Sequence, residues 1–509
     1  MMFPRRRFVQ GLGLGGLALA TGALEGMPRA IPRTETHWGD YPNEARSSEV
    51  PEELRAQSVL EIFLYGGISP WETFYAIDEP DYGKAAREMW WTFQDGPESV
   101  EAVYRKCLGS GAPPLLKDFT RDQNGVMVKL GPFADALRQR DDITDRLRLH
   151  VLTHDLTVHE IAVPLGLTGY RLALPRLAGV GTAVQHYFLA HDPAPREPRS
   201  YVLAPYHRLI TTLFNQAAAA GAHPAYAQPL VLHVNGDSHF AESLNRKSIG
   251  PDRATSDALL DDLVARFGGR LTRDGEPVRS RVWDEYRYAA GMLKRADALS
   301  EVFGHTLSAK MAGETCGETQ EISSTAMQLR LAAHLLGRPG SPTRHVSVID
   351  GALLQDINGF GYDTHRRHVF DSGRNLSYFM KQFVSYINRP GEKDPEKIDL
   401  DRTMVIINTE FGRSPGTQNG DGRNHYSHAY VTAMFGGPIG KKQRGIVGAI
   451  DHKGNPVEPL APAETRAAAL VALGIWPFSS EGYSVSDMRD VKTTAQGAAR
   501  LKERVLGLT

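Results

Sequence analysis

The chain reads as an α/β protein with a mostly parallel central sheet flanked by helices, built as a single large domain. Three observations predict this class. Short apolar runs rich in β-branched residues recur along the chain, each ending abruptly in polar residues. Runs of that length and character are strands buried on both faces, as in a parallel sheet. Segments with apolar residues at helical spacing lie between them. The loops after the strands carry carboxylates, histidines and glycines, and chemistry in open α/β sheets gathers beyond the carboxyl ends of strands.

In chain order, residues 1–23 read as a leader. Arg5-Arg6-Arg7-Phe8-Val9-Gln10 resembles a twin-arginine signal, and the glycine-rich apolar stretch behind it is shorter than the ~20 strongly apolar residues a bilayer span needs. Residues 24–55, proline-rich with mixed charge, read as a linker. The first strand is Val59–Tyr65, running into Gly66-Gly67, where a backbone without Cβ atoms can approach a ligand closely. Residues 75–140 show no usable periodicity. Arg148–Thr153 and Pro229–Val234 are further strands, and residues 280–304 and 325–336 are helices, the second capped by Gly337. His345–Asp350 is a strand, residues 375–386 a helix, and the run from Thr403 a strand ending in Thr409-Glu410-Phe411-Gly412-Arg413. His428–Phe435 closes the sheet, so the α/β domain occupies residues 56–480 and residues 481–509 form a tail. Length alone would suggest about three domains; the unbroken alternation argues for one.

Composition narrows the function. With 41 % hydrophobic and 23 % charged residues and a net charge of −1, no overall field points to nucleic acid or an anionic membrane. The cysteines, Cys107 and Cys316, exclude a thiolate zinc cluster and leave either one bridge or two inert thiols. No G-x-S-x-G elbow, P-loop or dinucleotide fingerprint follows a strand.

The candidate chemistry lies at strand ends. Asp363-Thr364-His365, Glu410 and His425 follow neighbouring crossover units. If they converge, the carboxylates repel by roughly 4 kcal/mol at ~4 Å and an effective dielectric near 20. A divalent cation removes that cost, and oxygen with imidazole donors suits zinc, manganese or magnesium. The alternative for Asp363 is a helix cap. His368 reads as surface-exposed, while His154 and His159, five apart, do not share a helix face and read as satisfied or solvated histidines unless their segment is a loop at the rim.

Gly66-Gly67-x-Ser69 with Thr73-Phe74, Asp363-Thr364-His365, Thr409–Pro415 and Gly422-Arg423-Asn424-His425, together with the leader, resemble sulfatase-like bacterial proteins of the alkaline phosphatase superfamily, a group carrying a domain of unknown function. The likeness runs from about residue 58 to residue 475. It implies one alkaline-phosphatase-like α/β domain, with Asp363, His365, Glu410 and His425 where relatives hold metal ions. The first loop departs from the family pattern: Pro70 and Glu72 replace a histidine and an aspartate. Glu72 retains a ligating carboxylate and Pro70 has none. The expected function is an exported, periplasmic or secreted, metal-dependent hydrolase of phosphate or sulfate esters in a small molecule or glycan, without stable membrane insertion after the leader is removed. The alternative is a non-catalytic envelope binding protein. In the hydrolase, the metal polarises the ester oxygen and Arg413 clamps the anionic oxygens. Ser69 is the expected nucleophile, with direct attack by water as the alternative and Thr73 read as a helix cap. Neither cysteine sits in the C-x-P-x-R setting of a formylglycine sulfatase.

Overall fold

The computed structural model describes residues 38–78, 99–109, 111–171, 178–191, 201–204, 229–232, 253–268, 270, 313–316, 318–320, 324–338, 340–352 and 361–508. The expected leader over 1–23 and the expected helix over 280–304 lie outside the described residues.

One 8-stranded sheet organises the chain. Its strands are β1 (Ser58–Leu64), β2 (Arg148–Leu152), β3 (Tyr201–Ala204), β4 (Leu230–Val231), β5 (His345–Asp350), β6 (Thr403–Asn408), β7 (Tyr430–Gly436) and β8 (Gly445–Val447). Their order across the sheet is β8-β2-β7-β6-β1-β5-β3-β4. Every neighbouring pair is parallel except the two made by β7, which runs antiparallel to β6 and to β2. The expectation of a mostly parallel sheet in an α/β domain therefore holds.

The central strands are buried along their whole length, as their near-continuous apolar runs require. Their period of two divides the core between two faces. Leu60, Ile62, Val405 and Ile407 face one apolar cluster, shared with α1 (Val100–Leu108), α4 (Ser324–Gly337) and α5 (His368–Ser385). Val59, Met404 and Ile406 face a second, shared with α3 (Val180–His191) and α6 (Pro462–Ala472). A short helix, α2 (His159–Thr168), follows β2. Two of the polar side chains on these strands are tied to neighbouring elements: Glu61 pairs with Arg466 of α6, and Asn408 bonds to Gly166 O at 2.7 Å and the Thr432 hydroxyl at 3.1 Å.

Several boundaries differ from expectation. Helix α5 starts at His368, seven residues before the periodic stretch, after Arg367 in the left-handed region at φ 46°. Gly337 is the last residue of α4 instead of its cap. The stretch without periodicity contains α1 and a hairpin of Lys117–Arg121 with Met127–Leu130. Tyr41, Ala45 and Val50 of the expected linker, and Leu501, Val505 and Leu506 of the expected tail, are buried in the second apolar cluster. Arg148 on β2 donates to the carbonyls of Val505 (2.9 Å) and Arg504 (2.8 Å), so these residues pack as part of the domain. No helix among the described residues is long and apolar enough to cross a membrane.

Cys107 of α1 is disulfide-bonded to Cys316, across a sequence separation of 209 residues, which decides between the two fates the sequence left open. Closing so long a loop restricts the unfolded chain, an effect on the order of 2–5 kcal/mol. Cys107→Ser is expected to lower the urea midpoint by that amount of stability, and a reducing agent to shift the wild type, but not the variant, to the same midpoint.

Candidate metal centre at the carboxyl rim of the sheet

Because β1, β2, β5 and β6 share one direction, Leu64, Leu152, Asp350 and Asn408 end on one rim, and β7 starts there with Tyr430 opposite Leu152. Four loops meet above it. Thr409 follows β6 and places its hydroxyl 2.9 Å from Leu64 O. Glu410 is fully buried; its Oε1 accepts from Gly66 N at 2.7 Å and lies 2.8 Å from His159 Nδ1. Gly66 has φ +114°, and a Cβ there would collide with the backbone of Tyr362 and Asp363. Its missing side chain lets the Asp363 turn settle onto the end of β1.

Three imidazoles converge on Asp363. His425 Nε2 and His365 Nε2 each lie 3.0 Å from its Oδ1, and His159 Nε2 lies 3.3 Å from its Oδ2. His365 Nε2 and His425 Nε2 are 2.9 Å apart. The opposite nitrogen of each ring is anchored to an oxygen: His159 Nδ1 to Glu410 at 2.8 Å, His425 Nδ1 to Thr157 O at 2.6 Å, and His365 Nδ1 to Gln418 Oε1 at 2.6 Å. Carbonyl and carboxylate oxygens only accept, so Nδ1 carries the hydrogen in each ring and Nε2 turns inward. Donor atoms of His159, Asp363 and His425 lie within 4.8 Å of one another. Their side chains keep 16 %, 17 % and 15 % of their exposure, so the cluster is reachable from outside.

The charges are strongly coupled. Burial pushes the Asp363 carboxyl up, but His159, His365, His425 and Arg413 together hold it far below the usual carboxylate range. Burial pushes His159 down; Asp363 and Glu410 outweigh it and raise the imidazole to about 9. His365 is raised by Asp363, against a smaller effect of burial. A proton therefore holds the place between these groups that a cation would take, and a set of imidazole and carboxylate donors fits zinc or manganese.

Behind this cluster the structure corrects several expectations. Arg413 is fully buried and does not face a substrate: it donates to Gly67 O (3.1 Å), Arg423 O (3.1 Å), Gly66 O and Asp363 Oδ1 (2.5 Å). Glu72, expected as a ligand, stands apart from the cluster and is fully buried against Arg423 Nη2 (2.5 Å) and His368 Nε2 (3.3 Å). Burial pushes its carboxyl up, but Arg423 and His368 hold it at about 2. Ser69 is 1 % exposed, and its hydroxyl faces Glu72 outside ordinary hydrogen-bond geometry. Thr73 donates to Ser69 O at 2.6 Å. His368, read as a surface residue, is fully buried as the first residue of α5. Glu410 touches the cluster through His159 and Gly66, and no ring nitrogen other than that of His159 is bonded to its carboxylate among the described residues. The residue missed as a centre member is His159. Its signal was its place just beyond β2 on the common rim, which outweighs its unhelpful spacing from His154. His154 itself bonds to Glu410 O at 2.6 Å and serves to hold the loop.

Fold and site thus define an α/β protein with a histidine–aspartate cluster at the strand ends. The chain belongs to the family described as protein of unknown function (DUF1501), which matches residues 56–477. That membership replaces the expected one: the match carries no link to sulfatase-like proteins or to the alkaline phosphatase superfamily, and no twin-arginine signal is shown. No curated protein matches the chain.

The raised His159 has a measurable sign. Its folded value of about 9 exceeds the ordinary 6.5, so in chelator-treated protein its contribution to stability is complete below pH 6.5 and is lost as pH rises through 9. Thermal midpoints in chelator are expected to fall across that window, and to fall less in His159→Gln.

Proposed function

We propose that the protein is a metal-dependent hydrolase of phosphate or sulfate esters that works outside the cytoplasm. One observation carries the reading: three imidazoles, each anchored through Nδ1, aim Nε2 at a single carboxylate on an accessible rim. The charge balance agrees. Asp363 is paired with Arg413 and Glu72 with Arg423, so the charge of Glu410 is balanced in the metal-free protein by the proton on His159, which a cation at the cluster would replace. His159, Asp363 and His425 would hold a divalent zinc, manganese or magnesium ion, which when bound supplies polarisation of an ester oxygen and an acidified water.

The chain's own groups supply the rest. Glu410 keeps the His159 ring in the tautomer that presents Nε2 inward. Asp363 is kept in place by Arg413. His365, at 29 % the most open of the four side chains, is placed to give a proton to a leaving oxygen from Nε2. An anionic ester suits the surroundings: α2 begins at His159, so its positive end faces the cluster, and the exposed Arg366 adjoins His365. Ser69 is too buried to attack a substrate, which favours direct attack by water over a covalent serine intermediate. The disulfide supports a periplasmic or secreted location, since such bonds persist in oxidising compartments.

A non-catalytic binding protein is the second reading, favoured by the withdrawal of both Ser69 and Arg413 from the rim. Hydrolysis of p-nitrophenyl phosphate and p-nitrophenyl sulfate, with zinc, manganese or magnesium restored to chelator-treated protein, separates the two. Asp363→Asn is expected to cut turnover by about 100-fold or more, beyond what losing an outer partner of a metal costs, while Ser69→Ala keeps it. Absence of metal uptake and of turnover on both esters would refute the hydrolase, and loss of turnover in Ser69→Ala would restore the covalent route.

A further inference from the structure

Glu72 and Arg423 form a fully buried ion pair beneath the cluster, and two of its connections meet at Thr364. Arg423 donates its backbone N–H to Thr364 O at 3.1 Å. His368 bonds to Glu72 through Nε2 (3.3 Å) and to the Thr364 hydroxyl through Nδ1 (2.6 Å). A carboxylate accepts only, so Nε2–H points to Glu72 and Nδ1 accepts from Thr364. Thr364 lies between Asp363 and His365. Both its carbonyl and its hydroxyl are therefore gripped by groups whose other end is Glu72.

The same pair fixes the second turn of the cluster. The Arg423 guanidinium donates to Ser414 O (2.7 Å) and Pro415 O (2.5 Å), and its carbonyl accepts from Arg413 Nη1. Arg413 in turn bonds to Asp363 and pairs in register with His425 across a short ladder. Gly422, next to Arg423, has no room for a Cβ, which would strike the carbonyl of His365. The two turns that carry Asp363, His365 and His425 are thus pressed together and locked from below. A buried ion pair is expensive to desolvate and adds little stability over apolar packing, and this one has a position that stability alone does not require.

The geometry points to Glu72 as a positioning residue that sets cation affinity at His159, Asp363 and His425, acting through Arg423, His368 and Thr364 without touching the ion. This inference rests on the cation site proposed above. A useful contrast is another fully buried glutamate–arginine pair, Glu61 with Arg466, in the body of the sheet. Disturbing it lowers stability without reaching either turn.

The test titrates Mn2+ into chelator-treated full-length protein by calorimetry and records the thermal midpoint of each variant in chelator. Glu72→Gln keeps the shape and removes the charge; Thr364→Val removes the hydroxyl link alone. Glu72→Gln is expected to weaken Mn2+ binding about tenfold or more, the range seen for outer partners of metal sites, and Thr364→Val by a smaller factor. Glu61→Gln lowers the midpoint and leaves Mn2+ affinity within about twofold. If the wild type takes up no Mn2+, the cation site falls and this inference with it. If the wild type binds and Glu72→Gln binds equally well, only the inference is overturned; an equal loss of affinity in Glu61→Gln overturns it too. Should Glu72→Gln fail to fold, unchanged affinity in Thr364→Val is the overturning result.

Discussion

The rim depends on the burial of one guanidinium. Arg413 has no exposed surface, and its N–H groups reach the carbonyls of Gly66, Gly67 and Arg423 and the carboxylate of Asp363. A charge held in so dry a place must be paired and fully hydrogen-bonded. Those partners come from the loop after β1, the loop after β5 and the connection between β6 and β7, so satisfying one side chain joins three separate loops into a unit. The planar fork of arginine makes this feasible; a lysine could not reach carbonyls and carboxylate together.

That unit holds Asp363 where it must serve several partners at once. Its Oδ1 receives Arg413, His365 and His425, while its Oδ2 faces His159. Imidazole nitrogens turned toward each other at 2.9 Å need something positive between or beside them, and a proton or a cation meets that need. Competition between the two couples cation affinity to pH, because a ligand must shed its proton before it binds. The cluster also has a polarity: open toward solvent on the side of His365, and sealed below by the Glu72–Arg423 pair.

Much of the scaffold was legible in the chain. The runs Val59–Leu64, His345–Asp350 and Thr403–Asn408 are strands because a β-branched apolar stretch of that length is comfortable only when buried on both faces, and all three sit in the centre of the sheet. Asp363, His365 and His425 could be singled out because they lie just beyond strand ends, and the structure brings them within bonding distance of one another. The early start of α5 escaped notice because its first turn is anchored by buried polar contacts of His368 rather than by an apolar stripe. The packing of residues 38–55 and of the C-terminal turns escaped for a related reason: scattered apolar residues in proline-rich or mixed sequence announce a core only when the surface they cover is known.

By itself the sequence determined the central strands β1, β5 and β6 and the residue types that come after them, because these follow from local periodicity and chain order, whereas strands β3 and β8 and the reversed direction of β7 were decided by the tertiary structure. Which of those residues share a centre was decided only by tertiary structure. His159, Asp363 and His425 come from three segments far apart in the chain, and their meeting depends on strand order and on Gly66 and Gly422 allowing backbones to touch. The fates of Glu72 and Arg413 were settled the same way. A carboxylate or guanidinium beside a glycine turn can face solvent or the interior, and nothing local chooses between them. Here Arg423 stands beneath Glu72, and Asp363 beside Arg413, so burial with a partner was available and exposure to a substrate was not.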